Sequence, residues 1–394
     1  MKIVLSKSNF VIFLLILIYL IMWLPMQDVP VVSSMDEILA FILLPLLVLK
    51  LKVNRENRIF IYSILIFLLV GLVSSILSDV TQPMLAKILD FISFIKLPIV
   101  FLYFRYIFSD SYARKFISSL LSLSKLLVSI SFVFAIANLF IDFGMSYDFR
   151  YGLRSFEFFY HNPGTFVALM TVCFAIINLE SRKNFVYKLL IIINLLLTLR
   201  TVAFGIVVLI LFLPYLLKNQ LKIRSILLIL PMIVIAGYGA IENYFIGQVT
   251  PRSLLLKNSL IVAQRYFPMG AGFGTYGSNA AKVYYSPLYY EFNFNYVWGL
   301  SPQFGHILND NFWPMIVAQF GVIGLTFYMV FLGAMTKDLF SRNMNKDWVI
   351  SGTTLISFLL LSSMGANVIT GVLGVLIIIP YTLILKKSEW SQNE

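Results

Sequence analysis

The stretch "IFIYSILIFLLVGLVSSILS", residues 59–78, decides the fold class because it contains no charged side chain. About 20 consecutive apolar residues form a helix long enough to cross the hydrocarbon core of a bilayer. The whole chain of 394 residues is 60% hydrophobic and only 12% charged, whereas soluble domains carry about 25% charged residues. The sequence therefore predicts an integral membrane protein.

Comparable apolar runs recur along the chain and predict an all-α polytopic membrane protein with about twelve transmembrane helices. The first run follows a basic start without a small-residue cleavage site, so we expect a first span and not a cleaved signal peptide. The chain then divides into helices 1–9 (residues 1–243), a large extracytoplasmic loop (244–310) and helices 10–12 (311–394). The runs lie near residues 9–26, 35–49, 59–78, 85–104, 116–141, 163–180, 185–199, 201–217, 225–243, 311–335, 348–364 and 367–385.

Basic residues alternate between the connecting segments. With the N-terminus inside, the predicted inner segments hold 20 of the 30 Lys and Arg residues, the outer segments hold eight, and Lys96 and Lys125 lie within spans. An excess of basic residues is typical of short cytoplasmic loops. The pattern therefore predicts that both termini are cytoplasmic, and it accounts for the net charge of +12 without a nucleic-acid partner.

The stretch "FPMGAGFGTYG" (267–277) contains the spacing G-x-G-x-x-G at Gly272, Gly274 and Gly277. In a dinucleotide-binding fold such glycines follow a strand, open a helix and meet a cytosolic cofactor. Here they lie in the predicted external loop, after Pro268. We therefore expect a sharp turn in which glycine supplies positive φ, and no nucleotide site.

The same predicted loop contains the aromatic run "YYSPLYYEFNFNYVWG" (284–299). Aromatic side chains of this kind form a belt at a membrane surface. Rings interleaved with Asn, Ser and Glu also suit sugars, which stack a C–H face on a ring and hydrogen-bond through their hydroxyls. The run is long enough for both roles, and a loop of this length usually carries function.

Several segments in order resemble the O-antigen polymerase and O-antigen ligase superfamily of bacterial envelope proteins. "LTLRTVAFG" (197–205) resembles its T-x-R-x-x-x-G turn between two helices, and "PRSLLLKNSLIVAQRYFPMGAGFGTYG" (251–277) resembles its Arg- and Gly-containing external segment. "GHILNDNFWPMIVAQFGVIG" (305–324) is similar to the following loop and helix, which ends in Q-x-G-x-x-G. "LRSFEFFYHNPGTF" (153–166) extends the resemblance upstream, whereas the first 140 residues match only in hydropathy.

The resemblance implies a glycosyltransferase of the metal-independent, lipid-donor (GT-C-like) architecture in the bacterial cytoplasmic membrane, with its active site outside. A polymerase of this superfamily transfers a growing glycan from undecaprenyl diphosphate to a new lipid-linked repeat unit, as in O-antigen or capsule synthesis. A ligase transfers the finished glycan to a lipid A core. A flippase for the same lipid-linked glycan is an alternative of another class.

The implied partners are an undecaprenyl-diphosphate-linked oligosaccharide, membrane lipids and a chain-length regulator protein, without nucleic acid. The resemblance implies no cofactor and no metal. The chain itself holds a single cysteine, Cys173, which excludes an internal disulfide and a cysteine-based metal site. Two histidines are also too few for a histidine-rich metal site.

The leaving diphosphate needs cationic partners, and arginine pairs bidentately with phosphate oxygens. The predicted outer side offers Arg200, Arg252, Arg265, Arg154 and Arg150, of which the first four are the candidates for the diphosphate. Arg200 is the strongest candidate because it lies between two predicted spans with little loop to solvate its charge.

The attacking sugar hydroxyl needs a proton acceptor. His306 and Asp310 are the first candidates, and their spacing predicts one face of a helix. Ligases carry a His-Asn pair at the place where this chain has Asp310 followed by Asn, so either Asp310 replaces the histidine or a shift brings in His306. This departure fits a polymerase better than a ligase. His161 and Glu157 are second-rank candidates.

Overall fold

The computed structural model describes residues 7–25, 29–180, 184–218, 250–340 and 344–390. Most of the described chain is helical, with a single two-stranded hairpin among the described residues. A π-helical turn, Tyr103–Ile107, continues the fifth helix, and 3₁₀ turns lie at Phe294–Tyr296 and Lys337–Phe340. The strands are β1 (Ser146–Arg150) and β2 (Leu153–Phe156). The helices are α1 (Lys7–Met22), α2 (Pro30–Ser33), α3 (Met35–Lys50), α4 (Arg58–Leu77), α5 (Met84–Leu102), α6 (Asp110–Phe140), α7 (Pro163–Asn178), α8 (Phe185–Leu197), α9 (Thr201–Lys218), α10 (Pro251–Arg265), α11 (Asn279–Val283), α12 (Pro287–Glu291), α13 (Phe312–Thr336), α14 (Lys346–Ser362) and α15 (Val372–Trp390).

Each predicted apolar run except 225–243 coincides with a helix, and that run lies outside the described residues. In the described part of the chain, three helices are long and apolar enough to cross a membrane: Arg58–Leu77, Asp110–Phe140 and Phe312–Phe340. The helical, membrane-protein character of the chain therefore stands, whereas the number of twelve spans stays a prediction. Shorter apolar helices occur at Pro163–Asn178, Phe185–Leu197, Thr201–Leu217 and Val372–Lys386.

Aromatic side chains hold α4, α5 and α13 together. The Phe67 ring of α4 lies 4.4 Å from the Phe320 ring of α13 and 5.4 Å from the Phe94 ring of α5. Phe94 and Phe320 meet edge-to-face with centroids 5.0 Å apart. Aromatic pairs in this geometry contribute about 0.5–1.5 kcal/mol beyond the area that they bury, so these three helices form a firm base for the segment that follows α10.

The predicted intramembrane lysine of α5 is paired. Lys96 is buried and forms an ion pair with the buried Asp36 of α3, and its Nζ lies 3.8 Å from Glu37. A charge inside an apolar bundle is costly unless it meets an opposite charge. The pair therefore fixes α3 against α5.

Polar contacts gather the predicted cytoplasmic connectors at one end of the bundle. Helices α4 to α9 and α13 to α15 follow one another through connectors, so successive connectors lie at alternate ends of the bundle. The end opposite these contacts carries the hairpin, the α8–α9 turn and residues 250–311. The gathering contacts are Lys337 to the Glu56 carbonyl (2.7 Å), Arg105 to Asp338 (3.3 Å), Asn178 to the Asp347 carbonyl (2.8 Å) and Lys386 to Asp110 (3.2 Å).

The helical architecture is interrupted after α6, where β1 and β2 pair antiparallel. Side chains of β1 alternate between half-buried and exposed positions, which is the period of a strand lying on a surface. Tyr151 (φ 51°) and Gly152 (φ 78°) make the turn, and two residues in the left-handed region are typical of a tight hairpin.

Residues 250–311, most of the predicted large loop, fold into short helices with a small core of their own. Helix α10 begins in a capping box, in which Thr250 and Ser253 each accept a hydrogen bond from the other's backbone, with Pro251 in the first turn. The core combines residues of this segment with Val80 and Ala318 of the bundle. Its other buried members are Leu255, Val262, Ala271, Tyr276, Ala281, Leu288, Tyr289, Phe294, Leu300 and Leu308.

Candidate functional site

The glycine-rich stretch is a turn inserted between α4, α5 and α13. Gly272 (φ 89°) and Gly274 (φ 71°) lie in the left-handed region, which confirms the predicted turn. The Gly272 N–H donates to the Gln319 carbonyl (2.8 Å), and the Gly274 N–H donates to the Asp90 carboxylate (2.6 Å). In a nucleotide site such amides hold a diphosphate. Here they hold the protein itself together, and one of them faces a carboxylate, which repels phosphate.

Arg200 lies in the turn between α8 and α9, and the β-hairpin fixes this turn. The hydroxyl of Ser155 in β2 donates to the Thr198 carbonyl (2.8 Å). Leu199, the residue before Arg200, has a φ of 53°, which an apolar L residue seldom adopts. The strained turn sets the base of the Arg200 side chain directly against the hairpin.

The Arg200 side chain contacts two residues of β1. Its Nη2 lies 3.7 Å from Asp148 Oδ2, and its guanidinium carbon lies 4.7 Å from the Tyr147 ring centroid. Arg150 Nε donates to the same Asp148 oxygen (2.8 Å). Burial raises the pKa of the Asp148 carboxyl, but the hydrogen bond from Arg150 and the charge of Arg200 outweigh it, so the pKa is lowered. Asp148 therefore stays charged and holds the two arginines side by side.

Arg154 lies on the same hairpin but contacts the end of α6. Its Nη1 donates to the Asn138 carbonyl (3.3 Å), and its Nε lies 4.0 Å from Asp142 Oδ2. The guanidinium also lies 5.6 Å from the Phe149 ring. These contacts fasten the hairpin to the bundle.

Glu157 and His161 follow β2 and lie next to the arginines. Glu157 is buried, whereas the His161 side chain is 79% exposed, and Nδ1 of the histidine lies 3.7 Å from Glu157 Oε1. Burial raises the pKa of Glu157 against the opposing charges of His161 and Arg200. We refer to Asp148, Arg150, Arg154, Glu157, His161 and Arg200 as the hairpin cluster.

A second group of charges lies at the start of α10 and just before α13. Arg252 Nη2 donates to Asp310 Oδ2 (2.8 Å), and the Asn311 side chain donates to the Arg252 carbonyl (3.3 Å). Burial raises the pKa of Asp310 although the hydrogen bond and charge of Arg252 oppose it. The contact brings together Arg252, predicted to bind the diphosphate, and Asp310, a predicted base.

His306 lies on the open side of this group. Its ring meets Trp298 edge-on, with centroids 4.9 Å apart, and the charges of His306 and Lys282 both act on Asp310. The predicted shared helix face is wrong, because residues 306–309 form a turn and α13 begins only at Phe312. We refer to Arg252, Lys282, His306 and Asp310 as the loop cluster.

Arg265 belongs to neither cluster. Its Nη1 donates to Glu291 Oε2 (2.8 Å), and its Nη2 contacts the other oxygen of the same carboxylate. The hydrogen bond from Arg265 lowers the pKa of Glu291. The fork that a diphosphate would use is therefore filled by a surface carboxylate.

The outer end of α14 separates the two clusters. Gly205, one turn into α9 from Arg200, faces Leu361 of α14, since a Cβ on that glycine would lie 3.3 Å from Leu361 Cδ1. On the other side, Trp313 Nε1 of α13 donates to Ser363 Oγ just after α14 (3.0 Å). The end of α14 therefore contacts α9, which follows Arg200, and α13, which follows Asp310.

Several polar atoms of the clusters are buried without a hydrogen-bond partner among the described residues. Such atoms are rare in folded proteins, and each one marks strain or a place for water or a ligand. They are Nε of Arg154, Arg200 and Arg252, Oδ1 of Asp148 and Oε2 of Glu157. Similar atoms occur elsewhere in the described chain, but those of the clusters lie on charged side chains that adjoin one another. This makes this end of the bundle the candidate functional site.

Three residues of the site were missed from sequence: Tyr147, Asp148 and Lys282. Asp148 and Arg150 are two residues apart, so on a strand they share a face, and recognition of the hairpin would have paired them. Tyr147 is found only by its contact with Arg200. Lys282 lies at the end of α11, and its approach to Asp310 depends on the fold of residues 250–311.

The aromatic run serves two structural roles. Tyr289 and Phe294 are buried in the small core of this segment, whereas Tyr296 and Trp298 are exposed. Trp298 lies beside the loop cluster, since its ring contacts His306.

Comparisons of the chain with protein-family models, with curated proteins and with solved structures each gave no match.

Proposed function

We propose that the protein is a polysaccharide repeat-unit polymerase with a GT-C-like arrangement of about twelve spans. It transfers a growing O-antigen or capsule glycan from undecaprenyl diphosphate to a new lipid-linked repeat unit. The reaction takes place on the outer face of the bacterial cytoplasmic membrane, with both termini in the cytoplasm. A chain-length regulator is a proposed partner.

The observation that carries this proposal is the presence of two charged clusters at the same end of the bundle, the hairpin cluster around Arg200 and the loop cluster around Arg252. A polymerase binds two lipid-linked diphosphates at once, one on the donor and one on the acceptor. The hairpin cluster and the loop cluster, on either side of α14, supply one cationic site for each. A ligase whose acceptor is a lipid A core needs one such site for its donor, and it is the second candidate on the motif resemblance.

The chemistry of the two arginines supports the same reading. The side chains of Arg200 and Arg252 are 22% and 36% exposed, so an incoming phosphate can reach part of each guanidinium. Arginine remains charged and binds phosphate bidentately. In a water-poor site this stabilises the charge that develops on the leaving diphosphate. Tyr296 and Trp298 offer exposed faces for the sugars.

The test replaces both arginines, Arg200→Ala with Arg252→Ala, in cells whose polymer depends on this chain. Lipid-linked glycans are extracted and sized, and the abundance of the variant in membranes is measured alongside. We expect long polymer to disappear and a single lipid-linked repeat unit to accumulate, accessible from outside. Polymer at wild-type length and amount would refute the proposal.

The same extraction separates the alternatives. Long chains that remain on undecaprenyl diphosphate would identify a ligase. A single repeat unit that an impermeant glycosidase cannot reach in spheroplasts would identify a flippase. Arg265→Ala is the matched control, because that arginine lies in neither cluster and its fork is filled by Glu291.

A further inference from the structure

The carboxylate of Glu157 is buried and is poorly satisfied. Its Oε2 has no hydrogen-bond partner among the described residues, and the side chain as a whole is 4% exposed. An uncompensated carboxylate in such a position is costly, and proteins keep one where it acts on a neighbouring group. The neighbour within ion-pair distance in the described chain is His161.

His161 presents the two sides of its ring to different surroundings. Nδ1 faces Glu157 Oε1 at 3.7 Å, just beyond hydrogen-bonding range, while most of the side chain is exposed. A carboxylate at one ring nitrogen fixes the tautomer and orientation of an imidazole, which leaves the other nitrogen to accept a proton. Hydrogen bonds of this kind are often long before substrate binds.

The backbone is shaped to keep the two side chains in this relation. Phe158 (φ 58°) and His161 (φ 48°) both lie in the left-handed region, which is an unfavourable conformation for a bulky residue such as Phe. The Phe158 ring packs 5.8 Å from Phe166 and 6.2 Å from Phe134. These contacts turn Glu157 inward and His161 outward, and strain of this kind is found mostly at functional sites.

The loop cluster offers a weaker pair. His306 and Asp310 are also neighbours, but the Asp310 carboxylate is hydrogen-bonded to Arg252 at 2.8 Å. A carboxylate committed to arginine orients a histidine poorly. Glu157, by contrast, lies next to Arg200, whose charge acts on it. A base at His161 would therefore stand beside a diphosphate-binding arginine.

We propose that His161 is the general base of the transfer and that Glu157 is its positioning residue, which revises the preference for His306 and Asp310. This inference rests on the proposed function. The acceptor hydroxyl oxygen bonds to the anomeric carbon of the donor sugar as the bond from that carbon to the diphosphate oxygen breaks. The electron pair leaves with undecaprenyl diphosphate, and the hydroxyl proton passes to His161 Nε2 and then to solvent.

The chain contains two histidines, so the experiment compares His161→Gly with His306→Gly. Glycine suits the positive φ of residue 161 and leaves room for free imidazole. The purified full chain is assayed in detergent with lipid-linked repeat units extracted from cells that lack it, with and without added imidazole. We expect His161→Gly to lose at least 100-fold in kcat and to regain part of it with imidazole, whereas imidazole should restore no activity to His306→Gly, which lacks only a side chain of the loop cluster.

Glu157→Gln tests the positioning role. We expect kcat to fall about tenfold with little change in KM, and we expect no further loss when Glu157→Gln is added to His161→Gly, because residues that act as a unit are not additive. If Glu157 had a purely structural role, Glu157→Gln would lower kcat by the same factor in the wild-type chain and in the His161→Gly variant. Near-normal activity of His161→Gly, or imidazole rescue of His306→Gly alone, would overturn the inference. If His161→Gly were nearly as active as the wild type but the Arg200→Ala, Arg252→Ala double variant were inactive, the assignment of the base would fail and the proposed function would not.

Discussion

Arg200 and Arg265 show how little the residue type alone says about a role. Both are arginines on the predicted outer side, and both were candidates for the diphosphate. The Arg200 fork lies 3.7 Å from Asp148 and retains a buried Nε without a partner in the described chain. Both terminal nitrogens of Arg265 are engaged by one exposed carboxylate, that of Glu291. The difference lies in the neighbours, which only the fold supplies.

The first prediction concerns the geometry of that fork. Arg200→Lys keeps the charge but loses the planar pair of donors, so the variant can make one hydrogen bond to a diphosphate where arginine makes two. A hydrogen bond to a charged group contributes about 1.5–3 kcal/mol, so we expect a loss of roughly 10- to 100-fold in kcat/KM for polymer formation. Arg265→Lys is the control and should stay near wild type, because exposed ion pairs contribute about 0–1 kcal/mol. Equal losses in both variants would contradict the assignment of Arg200.

Patterns in the sequence predicted the site residues only in part. A short turn between two apolar runs singled out Arg200, because an arginine there has little loop to solvate it. The resemblance singled out Arg252 and Asp310, which the structure brings into contact. The pairing of Asp148 with two arginines and the burial of Glu157 depend on a hairpin whose strands have only five and four residues. The polar–apolar alternation in strands this short does not distinguish them from an ordinary connector.

The glycine-rich turn between α4, α5 and α13 requires glycine because its backbone packs directly against these helices. Peptide groups of this stretch hydrogen-bond directly to α4, α5 and α13: the Gln82 side chain donates to the Gly274 carbonyl (2.8 Å), and the Ser75 hydroxyl accepts from the Phe273 N–H (2.8 Å). A Cβ on Gly272 would lie 2.5 Å from the Ser75 backbone. Two backbones can approach this closely only when no side chain separates them.

The second prediction follows from this approach. Gly272→Ala adds a clash with the Ser75 backbone and places alanine at a φ of 89°, so we expect several kcal/mol of destabilisation, the sum of about 1–3 kcal/mol each for strain and overpacking. The measurement is thermal unfolding in detergent together with abundance in membranes. Gly333→Ala is the matched control, since nothing lies within 4 Å of its added Cβ, and alanine favours a helix by about 1 kcal/mol. Similar stability of the two variants would contradict the tight insertion.

Element boundaries were predictable where a long apolar run defined them and were missed elsewhere. Helix α10 has little hydrophobic character, so no apolar run announced it. The residues at its start nonetheless carry a sequence signal for a helix N-terminus: Thr250 and Ser253 form a capping box, with Pro251 in the first turn. That signal is local and weak, and it predicts a helix start only when the following residues are already suspected to be helical.

Charged residues at the two ends of the molecule make different kinds of contact. One end gathers basic connectors into ion pairs and carbonyl contacts, such as Lys337 with the Glu56 carbonyl and Lys386 with Asp110. The opposite end holds the hairpin cluster, the loop cluster, the inserted turn and the exposed aromatic rings. The positive-inside rule predicts that the first end is cytoplasmic. On this prediction the second end faces the side where lipid-linked glycans are assembled in the proposed reaction.

The last prediction tests this orientation with single cysteines in a chain whose buried Cys173 is replaced by alanine. Tyr296→Cys lies on the exposed surface beside the loop cluster, and Glu56→Cys lies on the exposed connector at the other end. In intact spheroplasts, a membrane-impermeant thiol reagent should label position 296 at once and position 56 only after the membrane is opened, because the bilayer separates the two ends. Labelling of position 56 but not position 296 in intact spheroplasts would place both clusters in the cytoplasm. A donor carried across to the outer leaflet could not reach them there, so the same result would remove the polymerase proposal together with the orientation.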